Sequence, residues 1–192
     1  YWITQWRQIA ADPGFLMETM GFGFTVYGGV IGGILLGFLY CRKRGLKFLQ
    51  FFDLIMPSVA LAQGFGRIGC FLAGCCYGKE SASGWTVTFQ HSDMAPNGVP
   101  LIPTQIYSSL FDFALALLLI YLAERIRRDG VIAGLYLCFY SAGRFIIEFF
   151  RGDMERGQIG ILSTSQFLAV FSLAAGVLLL VVLCGKRKKE TV

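Results

Sequence analysis

Tyr140, Arg144 and Glu148 recur every four residues inside an otherwise apolar run, and Arg151 follows three residues later. That step places a phenol, a guanidinium, a carboxylate and a second guanidinium near one face of a helix. A second apolar run carries Gln63 and Arg67, four apart, within Gly64-Phe65-Gly66-Arg67-Ile68-Gly69. Small residues let a backbone approach a neighbouring helix or a ligand closely. Asp112 is an acid inside a third run. Guanidinium is the side chain best shaped for bidentate capture of phosphate, so Arg67, Arg144 and Arg151 read as the lining of a cavity that holds an anion. In the competing reading Arg144 and Glu148 only neutralise each other one turn apart. That reading does not reach Arg67, which has no acid within a helical turn.

The cysteines form a second group. Cys70, Cys75 and Cys76 cluster in a C-x4-CC spacing that matches none of the strong zinc patterns. With one histidine in the chain, no metal and no cofactor are expected. A disulfide and inert thiols both stay open. Cys41, Cys138 and Cys184 lie in or beside apolar stretches and read as packing residues. His91, in His91-Ser92-Asp93, has an unperturbed pKa suited to general-base work, but it reads more simply as a solvated loop residue.

Helices in a bilayer must position these groups. Of 192 residues, 55% are hydrophobic and 15% charged, against about 25% charged in an ordinary soluble domain. Mean hydropathy is +0.61. The 18 Phe, 8 Tyr and 3 Trp exclude a solvated, disordered chain. A bilayer core of about 30 Å needs roughly 20 apolar residues in a helix. Five stretches qualify: residues 21–40, 51–73, 104–123, 131–150 and 165–184. The expected fold class is all-α integral membrane, a polytopic bundle of about five transmembrane helices forming one domain over 1–192. Trp85-Thr86-Val87-Thr88-Phe89 alternates like a short strand, and Pro96-Asn97-Gly98 reads as a turn. Both lie in a loop of nearly thirty residues, long enough to carry function or cover a site.

The net charge of +5 is grouped rather than spread over a surface, so no nucleic-acid partner is expected. Arg42, Lys43, Arg44 and Lys47, then Arg125, Arg127 and Arg128, then Lys186, Arg187, Lys188 and Lys189 supply eleven of the 17 basic residues. They follow alternate apolar stretches. The positive-inside rule then puts these clusters, and the basic tail at 185–192, in the cytoplasm, with the loops at 74–103 and 151–164 facing outward. An arginine at mid-bilayer costs roughly 2.5–3.5 kcal/mol on insertion scales, which gives Arg67 and Arg144 their weight. For such residues in a membrane, the obvious anion is a phospholipid headgroup.

In order along the chain, these motifs resemble the prolipoprotein diacylglyceryl transferase family of bacterial inner-membrane enzymes. Tyr27-Gly28-Gly29-Val30-Ile31-Gly32 resembles a glycine-rich block, and Gly66-Arg67-Ile68-Gly69-Cys70-Phe71, continuing to Gly74 and Gly78, resembles the family signature. Pro103-Thr104-Gln105-Ile106-Tyr107 resembles a third block. Tyr140 with the segment from Arg144 to Arg151 resembles a fourth, and Gly157-Gln158 with Ser163 a fifth. The resemblance implies transfer of diacylglyceryl from phosphatidylglycerol to a lipobox cysteine of a prolipoprotein, with glycerol phosphate leaving. It assigns catalytic roles to Tyr27, Arg67, Arg144 and Glu148. It assigns substrate contacts to Gly28, Gly29, Gln63, Cys70, Gln105, Tyr107, Tyr140 and Arg151. It also implies a monomer in the bacterial inner membrane, with the site facing the outer leaflet.

The chain departs from the family pattern at several positions. Tyr27 and Ile102 stand where histidine is usual, Cys70 and Ala73 where asparagine is, and Cys75 where glutamate is. A tyrosine with a pKa near 10 is a poor base at neutral pH. Family members usually carry further helices before the glycine-rich block, so a fragment or a shortened paralogue is expected. The alternatives are a phospholipid-binding paralogue that is non-catalytic or has another acceptor and, further off, a small transporter lined by intramembrane charges.

Overall fold

The computed structural model describes residues 26–82, 84–152, 158–159 and 162–189. The chain divides into two compact units, 1–48 and 49–192. The first contains α1 (Val26–Arg44), which ends where Leu46 N–H donates to Cys41 O at 2.9 Å. Cys41 is buried there. From Leu49 on, the second unit holds α2 (Phe48–Leu72, its first residue in the first unit), β1 (Val87–Thr88), β2 (Pro100–Leu101), α3 (Thr104–Arg125), α4 (Val131–Glu148), β3 (Gln158–Ile159), β4 (Leu162–Ser163) and α5 (Thr164–Lys189) in that order. The strands form two antiparallel pairs, β1 with β2 and β3 with β4. Val87 and Thr88 lie within the stretch expected to be a strand, and the turn expected near Asn97 closes with Gly98 N–H donating to Phe89 O at 2.8 Å.

Among the described residues, four helical stretches are long and apolar enough to cross a membrane: Phe48–Leu72, Thr104–Arg125, Val131–Glu148 and Thr164–Gly185. The sequence suggested five. The first stretch does form a helix, but over its described residues five glycines and the terminal Arg42, Lys43 and Arg44 dilute the apolar content of α1. Leu54, Leu72 and Leu117 are 75%, 80% and 69% exposed. Leucines standing outward along spanning helices match a lipid solvent and would be an aggregation liability in water.

The core of the second unit combines Met56 and Ala60 of α2, Leu115, Ala116 and Leu119 of α3, and Ile132, Ala133 and Tyr136 of α4. Lipid tails are as apolar as these side chains, so helix association rests on close packing and buried polar contacts. Gly134 and Gly176 supply the close packing between α4 and α5. A Cβ on Gly134 would lie 2.7 Å from the Leu180 side chain, and one on Gly176 2.9 Å from Cys138 Sγ. Asp53 of α2 supplies a polar contact. Its carboxylate accepts from Gly130 N–H at 2.6 Å and from Ala133 N–H at 2.7 Å. These are unpaired donors of the first turn of α4, which has no side-chain cap of its own. A carboxylate there also meets the positive end of the helix dipole.

At the opposite end of this unit, one backbone segment gathers three elements. Gly78 N–H donates to Ile102 O at 3.0 Å, Lys79 N–H to Phe150 O at 2.9 Å, and Gly152 N–H to Tyr77 O at 3.1 Å. Residues 77–79 are thereby fixed between the start of α3 and the end of α4. A Cβ on Gly78 would lie 2.5 Å from Ile102 O and 2.9 Å from Phe150 O, so this junction forms only with glycine at 78. It holds the C-terminus of α2 beside the residues that follow α4.

Candidate functional site

The last turn of α4 carries the charged group. Arg144 Nη2 lies 3.3 Å from Glu148 Oε2 and donates to Ser165 Oγ at 3.2 Å. Arg151 Nη1 is 3.9 Å from the same carboxylate oxygen. The Glu148 and Arg151 side chains are only 4% and 6% exposed. On its other oxygen, Glu148 accepts a hydrogen bond from Ser163 Oγ at 2.9 Å. Ser163 also caps α5: its Oγ accepts from Gln166 N–H at 3.1 Å, while Gln166 Oε1 accepts from Ser163 N–H at 3.2 Å. This reciprocal pair is a capping box, and its hydroxyl proton fixes Glu148. The Ser163-x-x-Gln166 spacing was present in the sequence and was not read as a cap.

Arg67 of α2 stands within electrostatic reach of Tyr140, Cys70, Cys76, Asp112 and Arg144, so α2, α3 and α4 all contribute to one cluster. Asp112 is buried and within reach of both Arg67 and Arg144. Arg67 has no ion-pair partner among the described residues. Arg144 Nη1 is buried without a hydrogen-bond partner there. Asp112 and Glu148 are the acids within reach of Arg144 among the described residues. A buried guanidinium nitrogen with nothing to donate to is costly. An anion's oxygen atoms would satisfy both its hydrogen-bonding capacity and its charge.

The other residues singled out in the sequence lie in different surroundings. Tyr140 stacks on Tyr136 with ring centroids 5.5 Å apart, and Tyr136 Oη donates to Gln63 Oε1 at 2.8 Å. Gln63 therefore braces the aromatic pair. Gln105 Nε2 donates to Cys75 O at 2.8 Å, and its buried Oε1 has no partner among the described residues. Tyr107 is 41% exposed, on the same side of α3 as Ile106 and Leu110. Tyr27, Gly28 and Gly29 lie in the first turn of α1, within the 1–48 unit. The Tyr27 side chain and Gly157 lie outside the described residues. His91 is exposed, beside a loop closed by Ser92 N–H donating to Asn97 Oδ1 at 2.8 Å.

Cys70, Cys75 and Cys76 are free thiols brought together by the way α2 ends. Gly74 adopts φ +68°, Cys75 N–H donates to Cys70 O at 3.0 Å, and Gly74 N–H donates to Phe71 O at 3.1 Å. This is a Schellman motif, in which the residue after the left-handed glycine packs on the helix position five before it. Here those residues are Cys75 and Cys70. Thr104 Oγ1 and Gln105 Nε2 hold the carbonyls of Cys76 and Cys75 at 2.9 and 2.8 Å. The three Sγ atoms lie within 4.8 Å of one another. Burial, then the adjacent Cys76 and Cys70 thiols, pushes the Cys75 thiol up to about 12. A lone Cys75 is thus a protonated, weakly nucleophilic group at neutral pH.

Comparison with known proteins identifies the family of the chain. A family model described as prolipoprotein diacylglyceryl transferase matches residues 1–182. The chain is 47% identical over its whole length to phosphatidylglycerol–prolipoprotein diacylglyceryl transferase 2 of Clostridium perfringens, covering 74% of that protein. It is 48% identical, over 92% of its length, to the phosphatidylglycerol–prolipoprotein diacylglyceryl transferase of Clostridium tetani, covering 70% of it. The likewise named protein of Finegoldia magna is 33% identical over the whole chain, which covers 73% of it. The chain belongs to the prolipoprotein diacylglyceryl transferase family.

Proposed function

We propose that the chain transfers the diacylglyceryl group of phosphatidylglycerol to the thiol of a lipobox cysteine in a prolipoprotein, releasing glycerol phosphate. Relatives bearing the name of this activity support the reading. The observation that carries it is the buried Arg144 Nη1, which has no hydrogen-bond partner among the described residues, within electrostatic reach of Arg67. Sulfur attacks a glyceryl carbon, the carbon–oxygen bond to phosphate breaks, and negative charge gathers on the departing phosphate. Donors already aimed at that charge lower the barrier without reorganising. Arg67 and Arg144 take this role. Glu148 lies against both Arg144 and Arg151, and Tyr140 stands within electrostatic reach of Arg67 and Arg144.

Gly28, Gly29, Gln63, Cys70, Gln105, Tyr107 and Arg151 are assigned to the substrate surface, and Tyr27 to the acceptor side. The protein works as a monomer in the bacterial inner membrane. Its basic clusters and its tail at 185–192 lie in the cytoplasm and its site in the outer leaflet. The test uses full-length protein in phosphatidylglycerol micelles with a synthetic lipobox peptide, read by peptide mass. A gain of one diacylglyceryl group with glycerol phosphate released is expected. Arg144→Ala lowers kcat by about 10²–10³-fold, the loss seen when one charge-stabilising donor is removed. Unchanged transfer in that variant removes Arg144 from the chemistry. Retained lipid with no mass gain in the wild type overturns the reading in favour of a binding protein.

A further inference from the structure

A thiol acceptor reacts as thiolate, yet the chain's one histidine is His91, exposed in a loop. The cluster beside Arg67 offers another way to remove the proton. We infer that Cys70, Cys75 and Cys76 bind a zinc ion through three thiolates, and that its fourth position takes the acceptor cysteine as thiolate. The identity of that acceptor rests on the transferase reading; the metal site does not.

Four observations carry the inference. The first is geometry. Zinc–sulfur bonds of about 2.3 Å in a tetrahedron set sulfur atoms roughly 3.8 Å apart, and the three Sγ atoms already lie within 4.8 Å of one another. The second is rigidity. The Schellman hydrogen bonds and the contacts from Thr104 and Gln105 fix the backbone carbonyls of all three residues. The third is ligand number. Structural zinc takes four protein ligands, whereas catalytic zinc takes three and keeps a position open; among the described residues no fourth His, Cys, Asp or Glu joins the group. The fourth is charge. Three thiolates and one Zn²⁺ carry a net charge of −1, and Cys70 and Cys76 lie within electrostatic reach of Arg67, which has no ion-pair partner among the described residues. A disulfide would use two of the thiols, leave the third without a role and require an oxidant.

The step balances without a redox partner. The three thiols release three protons as zinc binds, and the acceptor S–H releases a fourth as its sulfur becomes the fourth ligand. A sulfur–carbon bond forms at the glyceryl group as the carbon–oxygen bond breaks, and the electron pair leaves with the phosphate oxygen. The product thioether is neutral and a poor ligand, so it departs. Its site of attack adjoins Arg67, where the phosphate charge is stabilised.

The test combines metal and transfer readouts on the full chain in phosphatidylglycerol micelles. Protein stripped of metal and given zinc against a competing chelator is expected to retain about one ion per chain. Cys70→Ser, Cys75→Ser and Cys76→Ser weaken this by more than the roughly 10–100-fold cost of losing a supporting hydrogen bond to a ligand. In unmodified protein, zinc shields these three thiols from alkylation, a readout that needs no variant to fold. With cobalt in place of zinc, the thiolate-to-cobalt absorption changes when a lipobox peptide is added, but not when its cysteine is replaced by serine. Full transfer by metal-free protein overturns the inference and leaves the transferase reading standing. A cobalt spectrum indifferent to the thiol peptide overturns the acceptor role. Bound zinc and a responsive spectrum with no diacylglyceryl gained upholds the thiol-binding site and overturns the transferase reading.

Discussion

A serine hydroxyl has one proton to give and two lone pairs to receive with, and Ser163 uses both capacities. It receives from Gln166 N–H and gives to Glu148, so the start of α5 and the orientation of Arg144 are set by one atom. Ser163→Ala should lower kcat/KM for phosphatidylglycerol by about tenfold or more, because a hydrogen bond to a charged group contributes roughly 1.5–3 kcal/mol. Ser163→Thr keeps the hydroxyl and should restore activity. Equal kcat/KM in the alanine variant would show that Glu148 holds its position without Ser163. The alternation of Tyr140, Arg144, Glu148 and Arg151 was legible because a helix converts spacing into a shared face. The Ser163–Glu148 contact was not, since it joins residues fifteen apart on two elements. Asp53 was missed for the same reason: its partners, Gly130 and Ala133, lie on another helix.

Among the elements, the apolar runs announced α2 to α5 within a few residues, because a lipid solvent demands long uninterrupted helices. What the runs could not show is how their ends are tied. The tie at residues 77–79 consists of backbone hydrogen bonds to Ile102, Phe150 and Gly152, and its only trace in the sequence is a glycine. Gly78→Ala should therefore destabilise the protein by about 1–3 kcal/mol, as forced overpacking does, and lower its Tm in detergent. It should also weaken lipid transfer, since the tie holds the end of α2, with Arg67, against the end of α4. A melting temperature and transfer rate equal to wild type would mean that the loop shifts aside freely. The thiol cluster gives the same lesson. A C-x4-CC spacing matches no zinc pattern, yet a Schellman turn folds the first and second cysteines onto each other, and proximity then comes from the turn rather than the count.

At the scale of the whole molecule, one end of the second unit is chemical and the other is basic. Arg67, Arg144, the three thiols and Ser163 sit where α2 and α4 finish and α3 and α5 begin. Arg125, Arg127 and Arg128 follow α3, and Lys186 to Lys189 close α5. Cytoplasmic loops retain such clusters, and each basic residue near an anionic leaflet adds about 1 kcal/mol of attraction. On the proposed topology the site would face the outer leaflet, where a secreted protein's cysteine arrives. A fluorescent protein joined after Val192, which matures only in the cytoplasm, should glow. A phosphatase that needs export for its disulfides, joined after Asn97, should be active. A dark C-terminal fusion with an inactive loop fusion would invert the topology and place the site on the cytoplasmic side. Arg67 and Arg144 would then meet inner-leaflet phospholipid, and the acceptor would have to be a thiol present before secretion.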